Sequence, residues 1–469
     1  MLTYDLDARG ELTLYEALYR RIREDILAGR LEAGERLPSK RSLAQHLKVS
    51  VITVENAYAQ LVAEGYLRPE ARRGYFVVRL ETRPEPARPG TAPPEKRPDG
   101  EPEDRAEEDE LLDLRGNQVD PARFPFATWS KLMRQVLSEQ DKRLLLPIPN
   151  QGVPELQSAI AGHLRSFRGL DVAPGQIVVG AGTEYLYQLL IQLLGTGGAV
   201  AVEDPGYPKL RRIYEKGGVD CRPVPLDDQG LSIADLVASG ASVAHISPSH
   251  HYPTGSVTPI ARRYELLHWA GRDRTILEDD YDSEFRFDRQ PVAPLQSIDE
   301  HGRVVYLNTF SQTIAPSMRI SYMVLPPRLL EQYRRELGFY ACTVPSFEQY
   351  TLAKFISGGW YEKHLSRMRN YYRQQRARVL EAFRNSPFAG RISITERGAG
   401  LHFLLRLDTE ESDESLRRRG LEAGVRLSFL SEYAAVPHPD HAHTLVVNYS
   451  GLDDARLPEA VAALAALLG

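Results

Sequence analysis

The N-terminal part of the chain places apolar residues at the spacing of short amphipathic helices. Apolar residues recur on one face of the first predicted helix, at Leu14, Leu18, Ile22 and Ile26. Gly29 ends this helix, and Ser39 and Ser50 are placed to cap two further helices. Apolar residues within 66–68 and 75–78 then predict two short strands. Three helices followed by a hairpin predict a winged helix-turn-helix over residues 1–80.

From residue 111 to residue 469 the pattern changes to short apolar runs separated by amphipathic segments. The apolar runs predict strands at 177–179, 199–202, 243–246, 275–277 and 304–307. The amphipathic segments predict helices at 183–194, 207–217 and 259–271. Strands that alternate with helices predict an α/β fold with a mostly parallel sheet, covered by helices on both faces. In such sheets, ligands bind at the carboxyl ends of the strands.

Residues that suit an anionic phosphate follow two of the predicted strands. The strand at 304–307 leads into a hydroxyl-rich loop, in which Ser311 and Arg319 could hold a phosphate between them. The strand at 177–179 leads into small residues and a helix N-terminus, which exposes backbone N–H groups to an anion. This second signal is weak alone, because glycine before a helix is common for structural reasons.

Two further strand ends carry a carboxylate and tyrosines. Asp279 follows the strand at 275–277, and a carboxylate there suits the protonated ring nitrogen of a cofactor such as pyridoxal phosphate (PLP). Tyr281 could bond an oxygen of that ring, and Tyr207 could stack on its face, although a tyrosine that closes a turn is an equal alternative. The acidic run could instead bind a metal, but no histidine ligands flank it, so we predict no metal site.

The overall composition indicates a multidomain globular protein. A chain of 469 residues predicts two or three domains, and 42% hydrophobic with 26% charged residues is typical of globular domains. No apolar run approaches the roughly 20 residues of a membrane-spanning helix, and the N-terminus lacks a secretory signal. Cys221 and Cys342 are expected to be small buried hydrophobes rather than a disulfide framework. We expect a cytoplasmic protein with no membrane partner.

Any nucleic-acid binding must come from a local patch, because the net charge of the chain is −5. From 30 to 80 there are nine basic residues against five acidic ones, concentrated at the second predicted helix and the hairpin. A recognition helix in the DNA major groove would explain the polar outer face of the third helix. The alternative is a small helical domain that binds protein or merely packs.

Residues 81–110 form a predicted linker between the two parts. The segment contains prolines at seven positions and ends in a mostly acidic run, and it has no apolar periodicity. This composition is typical of a disordered or semi-extended tether. It could let DNA-binding domains reach their half-sites, or it could be a passive spacer.

The N-terminal sequence resembles the GntR-type winged helix. The resemblance rests on GRLEAGERLPSKRSLA at 29–44 and VSVITV at 49–54, within residues 12–79. It implies DNA contacts from the second helix, the start of the third helix and the wing, at Arg41, Ser50, Ile52, Thr53, Arg73 and Gly74. Family members often carry a polar or basic residue where this chain has Val51, which puts one base contact in doubt.

Nearly all of the chain outside the linker resembles the MocR/GabR family of regulators. The matching motifs are EDPGYP at 203–208, SPSHHYPTG at 247–255, EDDYDSEF at 278–285, NTFSQTIAPSMR at 308–319 and HLSRMR at 364–369. This resemblance implies a fold-type I, PLP-dependent transferase-like domain with a C-terminal α+β subdomain. It also implies a double-stranded DNA operator, an amine or amino-acid effector, and a homodimer, usually head-to-tail.

The resemblance assigns roles to individual residues of the large domain. It places Gly182, Thr183, Ser311 and Arg319 at the cofactor phosphate, Asp279 at the pyridine nitrogen, Tyr281 at the ring oxygen and Tyr207 at the ring face. Lys209 lies where an effector-site arginine can occur. In the family, the residue after Ser311 is the lysine that forms the Schiff base, and here it is Gln312.

The chain departs from the family pattern in ways that bear on chemistry. A carboxamide has no nucleophilic amine, so Gln312 predicts that no covalent cofactor bond forms there and that the chain has no catalytic residue. The stretch 444–449 lacks the arginine that aminotransferases use for the substrate carboxylate, and Arg426 is a possible substitute. Tyr252 stands where many aminotransferases have asparagine, an aromatic that MocR-type chains tolerate.

These features favour a ligand-responsive transcription regulator that senses rather than turns over its ligand. The pocket is expected to hold PLP or pyridoxamine phosphate, or a preformed adduct of PLP with an amine, without a covalent link. Two alternatives for Gln312 stay open, namely a pocket that now takes another ligand, and an introduced replacement of a natural lysine. Two alternative functions also stay open: a working PLP-dependent aminotransferase, and a pseudoenzyme scaffold that binds only protein partners.

Overall fold

The computed structural model describes residues 2–6, 12–79, 111–116, 120–139, 142–287, 292–452 and 454–468. The chain divides into two compact units, Met1–Glu103 and Asp104–Gly469. The predicted linker at 81–110 lies outside the described residues, so its extended character stays a prediction.

The N-terminal unit contains three helices and a two-stranded antiparallel hairpin, as the sequence predicts. Its elements are α1 (Leu14–Leu27), α2 (Lys40–Leu47), α3 (Val51–Ala63), β1 (Leu67–Glu70) and β2 (Gly74–Val77). Ser39 accepts a hydrogen bond from the Ser42 amide at 3.2 Å, and Ser50 accepts one from the Thr53 amide at 3.1 Å. Both predicted N-caps are therefore confirmed, and each satisfies an amide that its helix leaves without a partner.

The apolar faces predicted from helical spacing turn inward in this unit. Leu18 and Ile22 of α1 pack in one buried cluster with Leu43 of α2 and with Val54 and Leu61 of α3. Burying a side chain of this size contributes roughly 1.5–3 kcal/mol relative to leaving it exposed. The polar faces of α2 and α3 are left at the surface, where a nucleic acid could reach them.

An eight-stranded sheet forms the centre of the C-terminal unit. In spatial order its strands are β4 (Ile177–Gly180), β11 (Ser321–Val324), β10 (Val304–Thr309), β9 (Thr275–Asp279), β8 (Val243–Ile246), β5 (Val200–Asp204), β6 (Cys221–Asp227) and β7 (Gly230–Leu231). The five strands from β10 to β6 run parallel to one another. β11 is antiparallel to both of its neighbours, and β7 is antiparallel to β6. The predicted mostly parallel sheet is thus confirmed.

Helices cover both faces of this sheet. Successive strand residues point to opposite sides, so these apolar strands present an apolar surface on each face. Ile177 and Val179 pack on one face, and Val178 between them packs on the other. The first face is covered by α4 (Phe126–Glu139), α5 (Pro154–His163), α8 (Ile233–Ser239), α9 (Ile260–Ala270) and α11 (Ser346–Ser357). The second face is covered by α6 (Thr183–Leu194), α7 (Pro208–Lys216) and α10 (Pro327–Glu336). No helix among the described residues is long and apolar enough to cross a membrane.

Residues 360–468 form an α+β subdomain. Residues 111–116, near the start of the C-terminal unit, also belong to it. Its elements are α12 (Trp360–Arg384), β12 (Ile392–Thr395), β13 (His402–Leu407), α13 (Asp413–Glu422), β14 (Val425–Arg426), β15 (Thr444–Asn448) and α14 (Leu457–Leu468). β12, β13 and β15 make an antiparallel sheet. β3 (Leu112–Asp113) pairs in parallel with β14, with Asp113 opposite Arg426. This short pairing holds residues 111–116 against the C-terminal subdomain.

Candidate ligand pocket and DNA-binding surface

A cavity of about 460 Å³ lies at the carboxyl ends of the parallel strands, where the α/β pattern predicts a ligand site. Eight residues singled out from the sequence line it, namely Thr183, Tyr207, Lys209, Asp279, Tyr281, Ser311, Gln312 and Arg319. Gly182 and Arg426 are not among the described residues that line the cavity. Gly182 lies directly behind Arg319, and Arg426 lies beside Asp113 in the small parallel pair. The described residues contain no group of His, Cys, Asp or Glu placed to hold a metal ion.

Asp279 is held at the end of β9 by aromatic and histidine side chains. The Tyr187 hydroxyl donates a hydrogen bond to Oδ2 of Asp279, and Nε2 of His245 lies 3.6 Å from the same oxygen. His245 is oriented in turn by the Tyr214 hydroxyl, 2.7 Å from its Nδ1. The other oxygen, Oδ1, is buried and has no hydrogen-bond partner among the described residues. An unsatisfied buried acceptor fits the protonated ring nitrogen of PLP, whose N–H group would satisfy it.

The start of α6 and the loop after β10 form a cationic corner of the cavity. Gly182 is the N-cap of α6 with φ +91°, and a side chain there would collide with the Arg319 guanidinium. Thr183 begins the helix, so free backbone N–H groups face this corner. Ser311 lies nearby on the cavity wall, and its amide donates to the Thr309 hydroxyl at 3.1 Å. The arrangement fits a phosphate group.

A carboxylate of the protein already contacts the cations of this corner. Glu184 bonds the Lys209 ammonium with one oxygen, and its other oxygen lies 3.3 Å from Nη2 of Arg319. The hydrogen bond from Lys209 lowers the pKa of Glu184 more than partial burial raises it, and the charge of Arg319 lowers it further. Glu184 is therefore ionised at neutral pH, and an incoming phosphate competes with it for Arg319.

Gln312 lies in the cavity wall, next to Ser311 in the sequence. Its Oε1 atom is buried and has no hydrogen-bond partner among the described residues. A carboxamide can accept or donate a hydrogen bond to a ligand, but it cannot form a covalent bond with an aldehyde. The lysine on the described part of the cavity wall is Lys209, which is ion-paired with Glu184.

Tyrosine rings contact one another along part of the cavity wall. The ring of Tyr252 lies 6.4 Å from both Tyr207 and Tyr281 and 5.4 Å from Tyr433, in edge-to-face arrangements. The hydroxyl groups of Tyr252 and Tyr433 are 2.9 Å apart. Burial raises the pKa of both Tyr252 and Tyr281, so both phenols stay neutral and can donate hydrogen bonds.

Sequence reasoning did not single out several other residues of the cavity wall, among them Arg115, Glu203, His251 and Tyr433. Nε2 of His251 lies 3.5 Å from Oε2 of Glu203, which also accepts a 2.8 Å hydrogen bond from the Ser247 amide. Burial raises the pKa of Glu203 to about 8 and lowers the pKa of His251 to about 3, so both are neutral near pH 7. Glu203 lies at the end of β5 and His251 follows β8, so their position near strand ends was a usable signal.

The predicted DNA-contacting residues lie around the start of α3 and at the hairpin. Ser50 caps α3, and its hydroxyl is 2.8 Å from that of Thr53, while Ile52 is 67% exposed. Arg41 is exposed on α2. At the hairpin, Arg73 forms a 2.6 Å ion pair with Glu70, and Gly74 has φ +113°, which favours glycine. A DNA phosphate would compete with Glu70 for Arg73.

Comparison with known proteins identifies both parts of the chain. Residues 14–77 match the description "Bacterial regulatory proteins, gntR family", and residues 109–464 match "Aminotransferase class I and II". The uncharacterized HTH-type transcriptional regulator YdeL of Bacillus subtilis is 36% identical over 467 residues, which cover 99% of each chain. The probable rhizopine catabolism regulatory protein MocR of Rhizobium meliloti is 33% identical over 474 residues, covering 99% of this chain and 95% of the relative.

Solved structures confirm the fold of the large unit. A kynurenine aminotransferase from Pyrococcus horikoshii superposes with a TM-score of 0.68 at 24% identity, covering 76% of this chain and 91% of its own. The aminotransferase LysN from Thermus thermophilus, solved with N-(5'-phosphopyridoxyl)-L-leucine, superposes with a TM-score of 0.67 at 23% identity, covering 76% and 92%. At this identity the likeness concerns the fold alone.

Proposed function

Since the chain belongs to the MocR family of HTH-type transcriptional regulators, we propose that a ligand in the cavity controls its binding to operator DNA. The N-terminal unit supplies the DNA-binding surface at α2, α3 and the hairpin. The large unit supplies a cavity whose residues suit a PLP-type cofactor and an amine or amino-acid effector. Action on DNA implies a cytoplasmic location, and operators read by paired half-sites suit a homodimer, which we infer to be head-to-tail.

The observation that carries the cofactor assignment is the pairing of two features in one cavity. Oδ1 of Asp279 is a buried acceptor that lacks a partner among the described residues, and Arg319 with the start of α6 forms a cationic corner. PLP, when bound, supplies an electron sink for reactions at an attached amine. Asp279 would hold the ring nitrogen, Tyr281 the ring oxygen, Tyr207 the ring face, and Thr183, Ser311 and Arg319 the phosphate.

Because Gln312 stands at the position of the Schiff-base lysine, we propose that the cofactor serves to sense a ligand rather than to catalyse its turnover. A transaminase needs an amine at this position to hold the cofactor and to release product, and a carboxamide supplies none. We therefore infer that PLP or pyridoxamine phosphate is held without a covalent link. Detection of amino transfer from an amino acid to a keto acid would overturn this inference in favour of an aminotransferase.

The test of the proposed function measures DNA binding and cofactor binding on the full chain. Fluorescence anisotropy with DNA from the gene's own upstream region, with and without PLP or pyridoxamine phosphate, should show specific binding that the cofactor alters. Either cofactor should raise the melting temperature, and borohydride should not fix PLP to the protein. No DNA binding at low salt would contradict the regulator, and an unchanged melting temperature would favour a scaffold that binds only proteins.

A further inference from the structure

Arg115 is a cation of the cavity wall that the motif comparison leaves without a role. It follows β3, and its guanidinium is fixed by Asp113 through Nε at 3.0 Å and Nη2 at 3.1 Å. Its own amide also donates to Asp113 at 2.8 Å. The side chain is nevertheless 45% exposed, and Nη1 makes no hydrogen bond within the described part of the chain. A fixed guanidinium with a free edge toward a cavity suits a carboxylate.

Asp113 lies between two arginines, Arg115 and Arg426. Asp113 lies opposite Arg426 in the pairing of β3 with β14, close enough for the charge of Arg426 to act on its carboxylate. Burial raises the pKa of Asp113, but the hydrogen bonds and charge of Arg115 and the charge of Arg426 lower it by more, so Asp113 is ionised. Glu432 also lines the cavity, but it is ion-paired with Arg417 at 3.0 Å.

The other cations of the described cavity wall also contact acids. Lys209 and Arg319 both contact Glu184, and Arg211 lies 3.5 Å from Glu215. Arg319 is assigned to the cofactor phosphate. Arg115 differs from them in being held by one carboxylate through two nitrogen atoms, and it is not assigned to the cofactor phosphate, so we consider it for a second anionic group.

The tyrosines connect Arg115 with the cofactor end of the cavity. Arg115 lines the cavity together with Glu432 and Tyr433, close enough to Glu432 for the charge of that carboxylate to act on it. Tyr433 packs on Tyr252 at 5.4 Å, and Tyr252 lies 6.4 Å from Tyr281, next to the proposed ring site. The Tyr433 carbonyl accepts a 3.0 Å hydrogen bond from Gly206, which fixes this wall to the loop after β5. Contacting tyrosine rings therefore line the cavity between the proposed ring site and the part of the wall that contains Arg115.

We propose that Arg115 binds the carboxylate of an amino-acid ligand, so that the pocket selects amino acids over amines that lack a carboxylate. This proposal rests on the proposed function, because it assumes that a pyridoxyl cofactor occupies the other end of the cavity. Arg115 would take over the role of the arginine that is missing from 444–449. Arg426, the substitute predicted from the sequence, does not line the described cavity wall, and its charge acts on Asp113, the partner of Arg115.

The test compares two stable cofactor adducts that differ by one carboxylate. N-(5'-phosphopyridoxyl)-L-alanine and N-(5'-phosphopyridoxyl)ethylamine are titrated into the full chain by calorimetry. We expect the alanine adduct to bind about tenfold or more tightly, as a charge-assisted bidentate contact of roughly 1.4 kcal/mol or more requires. Arg115→Gln should remove most of this preference and leave the affinity for the ethylamine adduct unchanged.

Arg222 offers a matched control. It is also 45% exposed and ion-paired with an aspartate two residues earlier, Asp220 at 2.6 Å, but it lies outside the set of described lining residues. Arg222→Gln should keep the preference of the wild type. If Arg115→Gln fails to fold, Arg115→Lys serves instead, because it keeps the charge, loses the planar fork and should reduce the preference.

The outcomes separate this proposal from the proposed function. Equal affinities of the wild type for both adducts would overturn the role of Arg115 and leave the cofactor site intact. A preference that persists in a folded Arg115→Gln variant would overturn it as well. Binding of neither adduct would overturn the cofactor site and this proposal together.

Discussion

Gln312 decides at the scale of one side chain what chemistry the cavity can perform. Because Gln312 lines the same cavity as Ser311 and Arg319, a lysine at this position would lie beside a bound cofactor. We predict that Gln312→Lys acquires PLP that borohydride fixes to the protein, whereas the wild type does not. Mass spectrometry of the reduced protein would show one added pyridoxyl phosphate group.

Gln312→Met is the control for this prediction, since it keeps the length of the side chain without an amine. It should stay free of fixed cofactor, like the wild type. Cofactor fixed to wild-type protein would mean that another lysine, with Lys209 on the cavity wall as the first candidate, has taken over the role.

Glu184 competes with any phosphate for Arg319, from which its carboxylate lies 3.3 Å away. Glu184→Gln removes this negative charge while keeping the size of the side chain. We predict that the variant binds pyridoxamine phosphate more tightly, by about threefold to tenfold at low ionic strength, because the contact is partly exposed and screened by solvent. Calorimetry at two salt concentrations measures the effect, which should shrink as salt rises.

The matched control is Glu215→Gln, which removes a partly exposed acid that is ion-paired with Arg211 at 3.5 Å. This variant should leave the affinity within about twofold of the wild type, as expected for an exposed pair. Weaker binding by Glu184→Gln would mean that Glu184 supports the phosphate corner rather than opposing it.

The buried carboxyl of Glu203 makes stability depend on pH. Burial raises its pKa to about 8 in the folded protein, far above its ordinary value of 4.5 in the unfolded chain. Between these values the folded state holds a proton that the unfolded state has lost, so the contribution of Glu203 to stability falls as pH rises through this window. Glu203→Gln has no proton to lose and should escape this decline.

Urea denaturation of the wild type and of Glu203→Gln at pH 6 and pH 8.5 tests this prediction. The free energy of unfolding of the variant, relative to the wild type, should rise by about 1.4 kcal/mol or more between the two pH values. A difference that stays constant with pH would show that the folded pKa of Glu203 is not raised.

At the scale of elements, helix α2 and the start of α3 form the proposed DNA-binding surface. Arg41 is exposed on α2 and makes no ion pair with a described residue. We predict that Arg41→Ala weakens binding to specific and to unrelated DNA by similar factors. The slope of log affinity against log salt should fall by about one, because one phosphate contact is lost. Arg165→Ala, in the other unit, is the control and should change neither quantity.

Local sequence signals predicted some elements well and others poorly, for physical reasons. Ser39 and Ser50 cap their helices as predicted, since capping depends on a few neighbouring residues. The pairing of β3 with β14 was missed, because two residues carry no periodicity and their partners are some 300 positions apart. Arg115 owes its place in the cavity to that pairing, which is why no motif pointed to it.

An apolar pattern also does not predict the direction in which a strand runs. A continuous apolar run predicts a buried strand, and 304–307 indeed lies within β10. The next strand, β11, returns antiparallel through the loop that contains Ser311, Gln312 and Arg319. This reversal places all three residues at the carboxyl end of β10. The reversal is determined by the fold as a whole rather than by the local sequence.

At the scale of the whole molecule, the proposed function requires that cofactor binding and DNA binding influence each other. Coupling between two sites is reciprocal, so a ligand that changes DNA affinity by some factor must have its own affinity changed by DNA by the same factor. We predict a coupling factor of about five or more between pyridoxamine phosphate and operator DNA, as is typical of allosteric proteins. The direction of the effect shows whether the cofactor strengthens or weakens DNA binding.

Two titrations on the full chain measure this coupling independently. Anisotropy gives DNA affinity with and without saturating pyridoxamine phosphate, and calorimetry gives cofactor affinity with and without saturating DNA. Asp279→Ala should weaken cofactor binding, because it removes the partner of the ring nitrogen, and its DNA affinity should no longer respond to the same cofactor concentration. Equal factors in the two titrations are a thermodynamic requirement. Factors of one in both would leave two functional sites on one chain that do not communicate, and the regulator would then need another signal.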